Sequence, residues 1–339
     1  LYKLLCLFFL LMFVETSSLQ ATENFRNFRF RQLSTSDGLS TNDIQQVYQD
    51  KEGYIWMATR NGLAKYNGYE MKIYKSNIYN WNLLGNNNIS CIEEDTKHRI
   101  WIGTYDGLNV LDKVTGKIKQ INKTEFSNNA ISKILVTRKG QILLGTDQGL
   151  YQYIPERDSC VLFTRETTKD VMPQTSVKSL LEDSKGNIWI GTWNEGLYRY
   201  DPEEGKYFAY PKMNERKSAH VVFEDSHHQI WVGTWEGGLF LLKNPYDMER
   251  VSWDVFRNEP AVESSLADNT IYALSEDRNT NSLWVGTRSG LSILPYGTTS
   301  FVNYYPDESG HSISGNEVTS MICDQQGMMW LSTLGGGVT

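Results

Sequence analysis

The sequence predicts an all-β fold, a seven-bladed β-propeller of four-stranded blades whose last blade is incomplete, preceded by a signal peptide. The main observation is a segment of the form D-x-x-G-x-I-W-x-G-T-x-x-G-L that recurs seven times, with its tryptophan position repeating every 42 to 53 residues. Such a period is typical of four-stranded propeller blades. The composition agrees, because 27 Gly, 19 Tyr and 10 Trp against 8 Pro fit short strands joined by tight turns.

The seven copies of the motif define the blades. They span residues 50–63, 95–108, 137–150, 183–197, 225–239, 277–291 and 324–338. Their tryptophan position is occupied by Trp56, Trp101, Leu143, Trp189, Trp231, Trp284 and Trp330. We expect these side chains to be structural and to pack between neighbouring blades, since an apolar replacement in one copy is typical of a shared core.

Local chemistry within each copy predicts strands and turns. The I-W-x-G-T segment combines β-branched and aromatic residues between turn residues, as a short strand does. The preceding D-x-x-G predicts a turn with Asp first and Gly fourth. An apolar residue, an Asn and an Ile or Val precede most copies, and we interpret them as the loop entering the innermost strand, with the Asn bonding local backbone. For the second blade this predicts strands at 89–94, 100–104, 108–112 and 117–122.

The two ends of the repeat array predict how the ring closes. The seventh copy ends at Thr339, so we expect no third or fourth strand of that blade from this chain. The segment Phe28–Leu33 (FRFRQL) is similar to the outer strands of other blades and is predicted to supply the fourth strand, since propellers close their sheet edges. One strand would still be absent, and we therefore expect the natural polypeptide to continue beyond Thr339.

Residues 1–21 are predicted to be a signal peptide. Leu4 to Val14 is an apolar run of the length of a signal-peptide core, follows Lys3 and precedes small polar residues. The run is too short to span a bilayer. A buried core helix is the alternative. Cleavage after Ser18 or Ala21 would leave residues 22–339 as a propeller located in the periplasm.

Charge and cysteine usage narrow the class of partner. The chain has 33 Lys and Arg against 40 Asp and Glu, a formal charge of −7, which disfavours nucleic acid as a partner. Cys91, Cys160 and Cys323 are widely spaced and form neither a disulfide framework nor a zinc pattern. We expect them to be small buried strand residues, and we predict no metal and no cofactor.

The repeat I-W-x-G-T-x-x-G-L, together with LSTSDGLSTNDI from Leu33 to Ile44, resembles the regulator-propeller repeats in the periplasmic sensor region of Bacteroides-type hybrid two-component sensors. The resemblance covers nearly all of the mature chain and corresponds to the first propeller. It implies an oligosaccharide sensor that controls polysaccharide-utilisation genes, with a second propeller, an immunoglobulin-like domain, a membrane span, a kinase, a receiver and a DNA-binding domain following. It is also compatible with a homodimer. No histidine here is followed by the Glu of a phospho-accepting motif, so kinase activity is expected outside this chain.

The candidate ligand site is a ring of loop residues. Loops that join second to third strands share a propeller face with the loops that enter inner strands, so the residue after each motif Thr should lie on that face. This loop ring comprises Arg60, Tyr105, Asp147, Trp193, Trp235, Arg288 and Leu334. Its irregularity marks a place where a site can be grafted, because blades four, five and seven carry one extra loop residue.

The chemistry of the loop ring favours a saccharide. Trp193, Trp235 and Tyr105 offer flat apolar faces to sugar rings. Polar contacts are expected from Arg60, Arg288, Asn194, Glu195 and Glu236. The two Arg side chains suit a uronic acid or a sulfate.

Other interpretations of the same residues remain open. Exposed Trp and Arg are also typical of protein interfaces, so the ring is equally a docking face for a second propeller. A propeller enzyme, either hydrolase or lyase, is the rival class, since Glu195, Glu236 and Asp147 are positioned to converge across blades three to five. Most acidic residues recur as turn Asp, which favours structure over catalysis. A non-catalytic scaffold is the third interpretation.

Overall fold

The computed structural model describes residues 28–77, 79–80, 83–121, 130–163, 172, 174–210, 218–307 and 312–339. The predicted signal peptide lies outside these residues. Asn129, the Asn of the loop predicted to enter blade three, lies outside them as well. One short 3₁₀ helix, Thr35–Asp37, precedes the first strand, and a capping box formed by Ser34 and Asp37 holds it.

The described residues form 27 strands in seven consecutive groups. Blades one to three contain β1 (Ile44–Gln49), β2 (Ile55–Thr59), β3 (Gly62–Tyr66), β4 (Met71–Tyr74); β5 (Ile89–Glu94), β6 (Arg99–Thr104), β7 (Gly107–Asp112), β8 (Ile118–Gln120); and β9 (Ile131–Val136), β10 (Ile142–Thr146), β11 (Gly149–Ile154), β12 (Ser159–Leu162). Blades four and five contain β13 (Val177–Glu182), β14 (Ile188–Thr192), β15 (Leu197–Asp201), β16 (Lys206–Tyr210); and β17 (Val221–Glu224), β18 (Ile230–Gly233), β19 (Leu239–Lys243), β20 (Ser252–Phe256). Blades six and seven contain β21 (Ile271–Asp277), β22 (Ser282–Thr287), β23 (Gly290–Leu294), β24 (Val302–Tyr304); and β25 (Val318–Cys323), β26 (Met329–Thr333), β27 (Gly337–Val338).

The strands assemble as a closed ring of antiparallel sheets. Within every sheet the strands pair in chain order, giving six four-stranded sheets and one of three strands among the described residues. The innermost strands touch in sequence from β1 through β5, β9, β13, β17 and β21 to β25, and β25 returns to β1. This confirms the predicted seven-bladed propeller with an incomplete last blade. In the second blade the predicted inner strand is confirmed residue for residue, and the outer strand is shorter than predicted.

The residue at the tryptophan position of each blade packs against the next blade, and all of these residues are buried except the half-buried Trp330. Trp56, for example, packs in a cluster with Ile89, Ile92 and Ile100 of blade two. Its indole Nε1 donates a hydrogen bond to Asp50 Oδ2 at 2.9 Å. The same bond, at 2.8 to 2.9 Å, joins Trp101 to Asp95, Trp189 to Asp183, Trp231 to Asp225 and Trp330 to Asp324. The first Asp of the motif therefore has two roles: its carboxylate accepts hydrogen bonds from the backbone of its own turn and from the buried indole N–H.

Blade six departs from this arrangement. Its turn holds one more residue, so Asp277 and Trp284 are seven positions apart instead of six. Asp277 Oδ2 accepts from the Thr280 hydroxyl at 2.8 Å. The Trp284 Nε1 is buried, and none of the residues that the structure describes accepts a hydrogen bond from it.

Glutamates at the ends of inner strands join neighbouring blades on the turn side. In four blades the residue after the turn Asp (Thr137 in blade three) donates its backbone N–H to a Glu carboxylate of the next blade, at 2.6 to 2.8 Å. The pairs are Lys51 with Glu94, Arg138 with Glu182, Ser184 with Glu224 and Ser226 with Glu276. Because a carboxylate acceptor strengthens a hydrogen bond, these bonds help to fix the blades relative to one another.

The amino-terminal segment closes the last blade, although not as predicted in every detail. Leu33 and Val338 exchange two backbone hydrogen bonds at 2.8 and 3.0 Å, and Phe28 and Phe30 pack beside Trp284. The expectation of no third strand in blade seven is wrong, because Gly337 and Val338 already pair with β26 as the short strand β27. A cleft of about 530 Å³ lies beside this blade, lined by Phe28, Trp330 and the exposed Met328 among others.

Cys91 and Cys160 are buried free thiols in strands, as expected, and Cys323 is half-buried. No described helix is long and apolar enough to cross a bilayer.

Candidate functional site

The loop ring is held by a repeated contact at the end of each second strand. The hydroxyl of every motif Thr donates to the carbonyl of the Gly that starts or precedes the third strand. The Gly lies three residues on in blades one, two, three and six, as in Thr59 to Gly62, and four residues on in the others, as in Thr234 to Gly238. The extra residue of blades four, five and seven is therefore accommodated in the loop without shifting the strands.

Backbone bonds then fix this loop against the inner strand of the same blade. The N–H of Arg60 donates to the Asp43 carbonyl at 3.2 Å, and that of Trp193 donates to the Ser176 carbonyl at 2.9 Å. Equivalent bonds run from Tyr105, Arg288 and Leu334 to Asn88, Thr270 and Glu317. The Trp235 N–H uses the Ser218 hydroxyl instead, at 3.0 Å. The loops therefore lie where the chain enters the inner strands, which is the common face that we predicted.

Trp193 and Trp235 come together as the core of an aromatic cluster. Their ring centroids are 5.1 Å apart with an interplanar angle of 63°. His220 lies 6.2 Å from Trp193 and 6.0 Å from Trp235, and Tyr272 lies 6.0 Å from Trp235 and 5.7 Å from His220. We call Trp193, His220, Trp235 and Tyr272 the rim cluster. The two Trp rings are half-buried, because each covers part of the other.

His220 and Tyr272 belong to a second ring inside the central channel. We call this second ring the channel ring. In each blade it consists of the residue that directly follows the first buried residue at the start of the innermost strand: Gln45, Ser90, Ser132, Lys178, His220, Tyr272 and Thr319. In six blades the pairing of inner and second strand skips this residue, which is therefore a β-bulge. A bulge bends the strand and re-aims the extra side chain, which explains why these six side chains point into the channel. Together with His220 of blade five, they line one cavity of about 250 Å³.

Blades four to six differ from the others in this ring. Ser90, Ser132 and Thr319 each donate their hydroxyl to the inner-strand backbone of the next blade. Lys178, His220 and Tyr272 are larger, and their side chains extend toward the rim, where they meet the two Trp rings. The channel thus has one wall of small hydroxyl residues and one wall of large aromatic and basic residues.

Two of the predicted charged residues, Asp147 and Arg288, form ion pairs on this face. Lys178 Nζ lies 2.9 Å from Asp147 Oδ1 and 5.8 Å from the Trp193 ring centroid. Burial acts to raise the pKa of Asp147, but the bonds from Ser176 and Lys178 outweigh it and hold that pKa below its ordinary value. Arg288 Nη2 lies 3.4 Å from Asp268 Oδ2.

His220 is the group with the most perturbed protonation at the site. Burial, with a smaller contribution from the nearby Lys178 charge, lowers the pKa of His220 to about 4. The imidazole is therefore neutral near pH 7. Its Nδ1 is buried and has no hydrogen-bond partner among the described residues, and neither does the Thr270 Oγ1 at the base of the neighbouring loop. Buried polar atoms of this kind are normally satisfied, so their presence here marks a place for an added polar group.

The structure separates the other predicted site residues from this cluster. Arg60 and Tyr105 lie exposed on blades one and two, and no described contact joins them to the two Trp rings. Asn194 and Glu236 are exposed beside the Trp residues, and Glu195 is half-buried. Sequence reasoning missed Lys178, His220 and Tyr272. The available signal was their bulk at a position where the other blades carry Gln, Ser or Thr.

In three blades the Asn of the entering loop has the structural role predicted for it. Asn42, Asn87 and Asn269 accept backbone N–H bonds from Thr35, Ser76 and Asn258 at 2.7 to 2.9 Å. These amides tie the entering loop to the preceding connection and do not contribute to the rim cluster.

Comparisons with known proteins agree with this architecture. The family described as Two component regulator propeller matches residues 38–61, 83–106, 172–194, 265–289 and 312–335. A protein named Histidine kinase P4 from Formosa agariphila is 29% identical over 370 aligned residues, covering 92% of this chain and 26% of that protein. The chain thus spans about a quarter of the length of this relative.

Two solved structures from Bacteroides thetaiotaomicron are similar in fold. Both are described as extracellular domains of hybrid two component systems. The first has a TM-score of 0.77 at 20% identity, covering 92% of this chain and 41% of its own. The second has a TM-score of 0.75 at 24% identity, covering 92% and 39% respectively.

Proposed function

The chain carries two component regulator propeller repeats, and we propose that it is the extracytoplasmic ligand-sensing propeller of a hybrid two-component sensor histidine kinase. In this proposal it responds to oligosaccharides in the periplasm and controls polysaccharide-utilisation genes. Kinase activity resides in other parts of the full-length protein, which is anchored in the inner membrane. A following propeller and a second copy of the chain are the expected protein partners.

The rim cluster is the observation that supports a saccharide ligand. Aromatic faces suit the apolar C–H faces of sugar rings, and the neutral His220 and the Thr270 hydroxyl offer hydrogen-bonding capacity that the protein itself leaves unused. The 63° angle between Trp193 and Trp235 means that a sugar ring stacks on one of them while the other forms a wall.

The energetics require polar contacts as well as stacking. One indole face covering roughly 100 Å² contributes about 2.5 kcal/mol. Micromolar affinity requires about 8 kcal/mol. The difference of roughly 5.5 kcal/mol corresponds to several hydrogen bonds of about 1 kcal/mol each.

Signalling follows if the saccharide distinguishes two domain arrangements. A ligand shifts an equilibrium only by its difference in affinity for the two states. The loop ring faces away from the turn side of the blades, so a ligand on it can also touch a second domain docked on the same face. Occupancy would then change the relative domain orientation, and the membrane span would relay that change to the kinase.

The test is a binding screen of the purified chain against neutral and acidic oligosaccharides by thermal shift, followed by calorimetry. For a saccharide that binds, we expect the variant with Trp193→Ala and Trp235→Ala to lose roughly fiftyfold or more in affinity, since about 2.5 kcal/mol of stacking is removed. Tyr69→Ala removes an aromatic ring that is 94% exposed on blade one, and serves as the matched control.

Other outcomes would replace the proposal. If no saccharide binds and the chain instead binds a following propeller through the same Trp residues, the loop ring is a docking face. If a bound glycan is turned over, the chain is a propeller enzyme, with Glu195 and Glu236 as the first carboxylates to substitute.

A further inference from the structure

The channel beneath the rim cluster has a size that restricts what enters it. Its volume of about 250 Å³ lies below the roughly 300 Å³ at which pockets for drug-sized ligands begin. The cavity is lined by inner strands from all seven blades, with Lys178, His220 and Tyr272 on one wall and Ser90 and Ser132 on the other. Such a cavity holds one sugar ring, and the rest of an oligosaccharide has to lie over the rim.

The cations that face this space are already matched by carboxylates. Lys178 is paired with Asp147, and Arg288 is paired with Asp268. Lys133, which also lines the cavity, interacts electrostatically with Glu93. An anionic sugar at the rim cluster would therefore meet a carboxylate of its own sign beside each of these cations, and the exposed Arg60 has no described contact with the rim cluster.

The hydrogen-bonding chemistry of the channel also favours a hydroxyl. A neutral imidazole has one N–H donor and one acceptor nitrogen, which matches a hydroxyl that both donates and accepts. A carboxylate or a sulfate ester only accepts. Two of the buried atoms that have no hydrogen-bond partner among the described residues, His220 Nδ1 and Thr270 Oγ1, belong to this part of the chain, and the His220 ring lies 6.0 Å from Trp235 and 5.7 Å from Tyr272.

From these observations we infer that the channel mouth takes the terminal, uncharged ring of an oligosaccharide, stacked on the rim cluster and selected by hydrogen bonds to His220. This inference rests on the proposed function and adds which part of the saccharide the protein recognises. His220 acts as the specificity residue, and Tyr272 and Lys178 shape the wall that the ring contacts. Acidic oligosaccharides whose terminal ring carries the charge are excluded.

The experiment uses the whole chain and pairs of linear oligosaccharides of equal length and linkage that differ only in the terminal ring, hexose or hexuronate. Calorimetry should give an affinity for the hexose-ended member at least about tenfold higher than for its hexuronate-ended partner. The His220→Phe variant keeps an aromatic ring but removes both nitrogens, and should bind the hexose-ended ligand about tenfold more weakly.

Two further variants make the result interpretable. His227→Phe makes the same substitution at an exposed histidine in the turn of blade five, outside the channel, and its affinity should stay within about twofold of the wild type. His220→Gln retains a donor and an acceptor and should recover part of the affinity. Unchanged thermal unfolding of His220→Phe separates lost binding from lost folding.

The outcomes distinguish this inference from the function on which it rests. If His220→Phe binds like the wild type while the Trp193→Ala and Trp235→Ala variant does not bind, saccharide sensing stands and the role of His220 is wrong. Equal or tighter binding of the hexuronate-ended ligand overturns the choice of an uncharged ring. If no oligosaccharide of either kind binds, the proposed function fails together with the inference.

Discussion

The hydrogen bond between the motif Trp and Asp can be tested within one molecule, because adjacent blades differ in it. In blade five Trp231 Nε1 donates to Asp225 Oδ2 at 2.8 Å, whereas in blade six Trp284 Nε1 has no partner. Both indoles are almost fully buried, at 5% and 2% exposure. Substituting either Trp by Phe removes the indole N–H, and the apolar volume lost is similar in the two variants. The variants therefore differ mainly in whether a hydrogen bond is lost.

The expected magnitudes follow from the acceptor. A hydrogen bond to a charged group contributes about 1.5–3 kcal/mol. Trp231→Phe should therefore lower the free energy of unfolding by about 1.5–3 kcal/mol more than Trp284→Phe does. In Trp284→Phe the lost packing is partly offset, because an unsatisfied buried donor is removed.

Urea denaturation followed by circular dichroism measures this difference, provided that both variants unfold with the same slope. Equal losses in the two variants would refute the reasoning. That result would mean that the tryptophans act by apolar volume alone and that the turn Asp serves only its own backbone.

Three further predictions concern backbone strain and protonation. Gly238→Ala should destabilise the chain by at least about 2 kcal/mol more than Gly186→Ala in urea denaturation, because both glycines have positive φ but only at Gly238 would a Cβ lie 2.3 Å from a carbonyl oxygen; equal losses would contradict this. Burial lowers the pKa of His220 from 6.5 to about 4, so the unfolded chain binds this proton more readily, and wild-type stability should fall from pH 6.5 toward pH 4 more steeply than that of His220→Phe; identical pH profiles would count against a buried neutral imidazole. Burial raises the pKa of Glu93 from 4.5 to about 7, so the folded chain loses stability as the pH rises through this range and the buried carboxyl ionises. Glu93→Gln should therefore be more stable than the wild type at pH 8 but not at pH 4.5.

The fold could be predicted from the sequence because the motif repeats. Seven copies of the same strand and turn pattern reduce the uncertainty of any single one, and copy three shows that Leu143 fills the Trp position. The common face of the loop ring was also predictable, since every blade brings its loop and its entering strand together in the same way. The spacing between Asp277 and Trp284 is visible in the sequence as well, although its consequence for the Trp284 N–H is not.

The walls of the channel could not be predicted in this way. Lys178, His220 and Tyr272 lie far apart in the chain and meet only because three blades close around one axis. Lys178 and Tyr272 point into the channel through β-bulges, and a one-residue shift in strand pairing has no sequence signal of its own. The short strand β27 was missed for a related reason, because its pairing depends on Leu33, about 300 residues earlier.

The pairing of Lys178 with Asp147 also depended on geometry. Lys178 precedes the motif copy of blade four and Asp147 lies within that of blade three, so the ion pair joins two blades. From the sequence alone, in which this ion pair cannot be seen, the Arg residues of the loop ring favoured an acidic sugar. With Arg288 paired to Asp268 as well, the described charges favour a neutral one.

The central claim is that a saccharide binds at the channel mouth of this propeller, and the most direct measurement is a crystal structure of the chain with the tightest-binding oligosaccharide from the screen. The account predicts a terminal sugar ring stacked on Trp193 or Trp235, with a hydroxyl within hydrogen-bond distance of the His220 imidazole. A saccharide found on the turn side of the blades, or in the cleft beside blade seven, with the rim cluster empty, would contradict it.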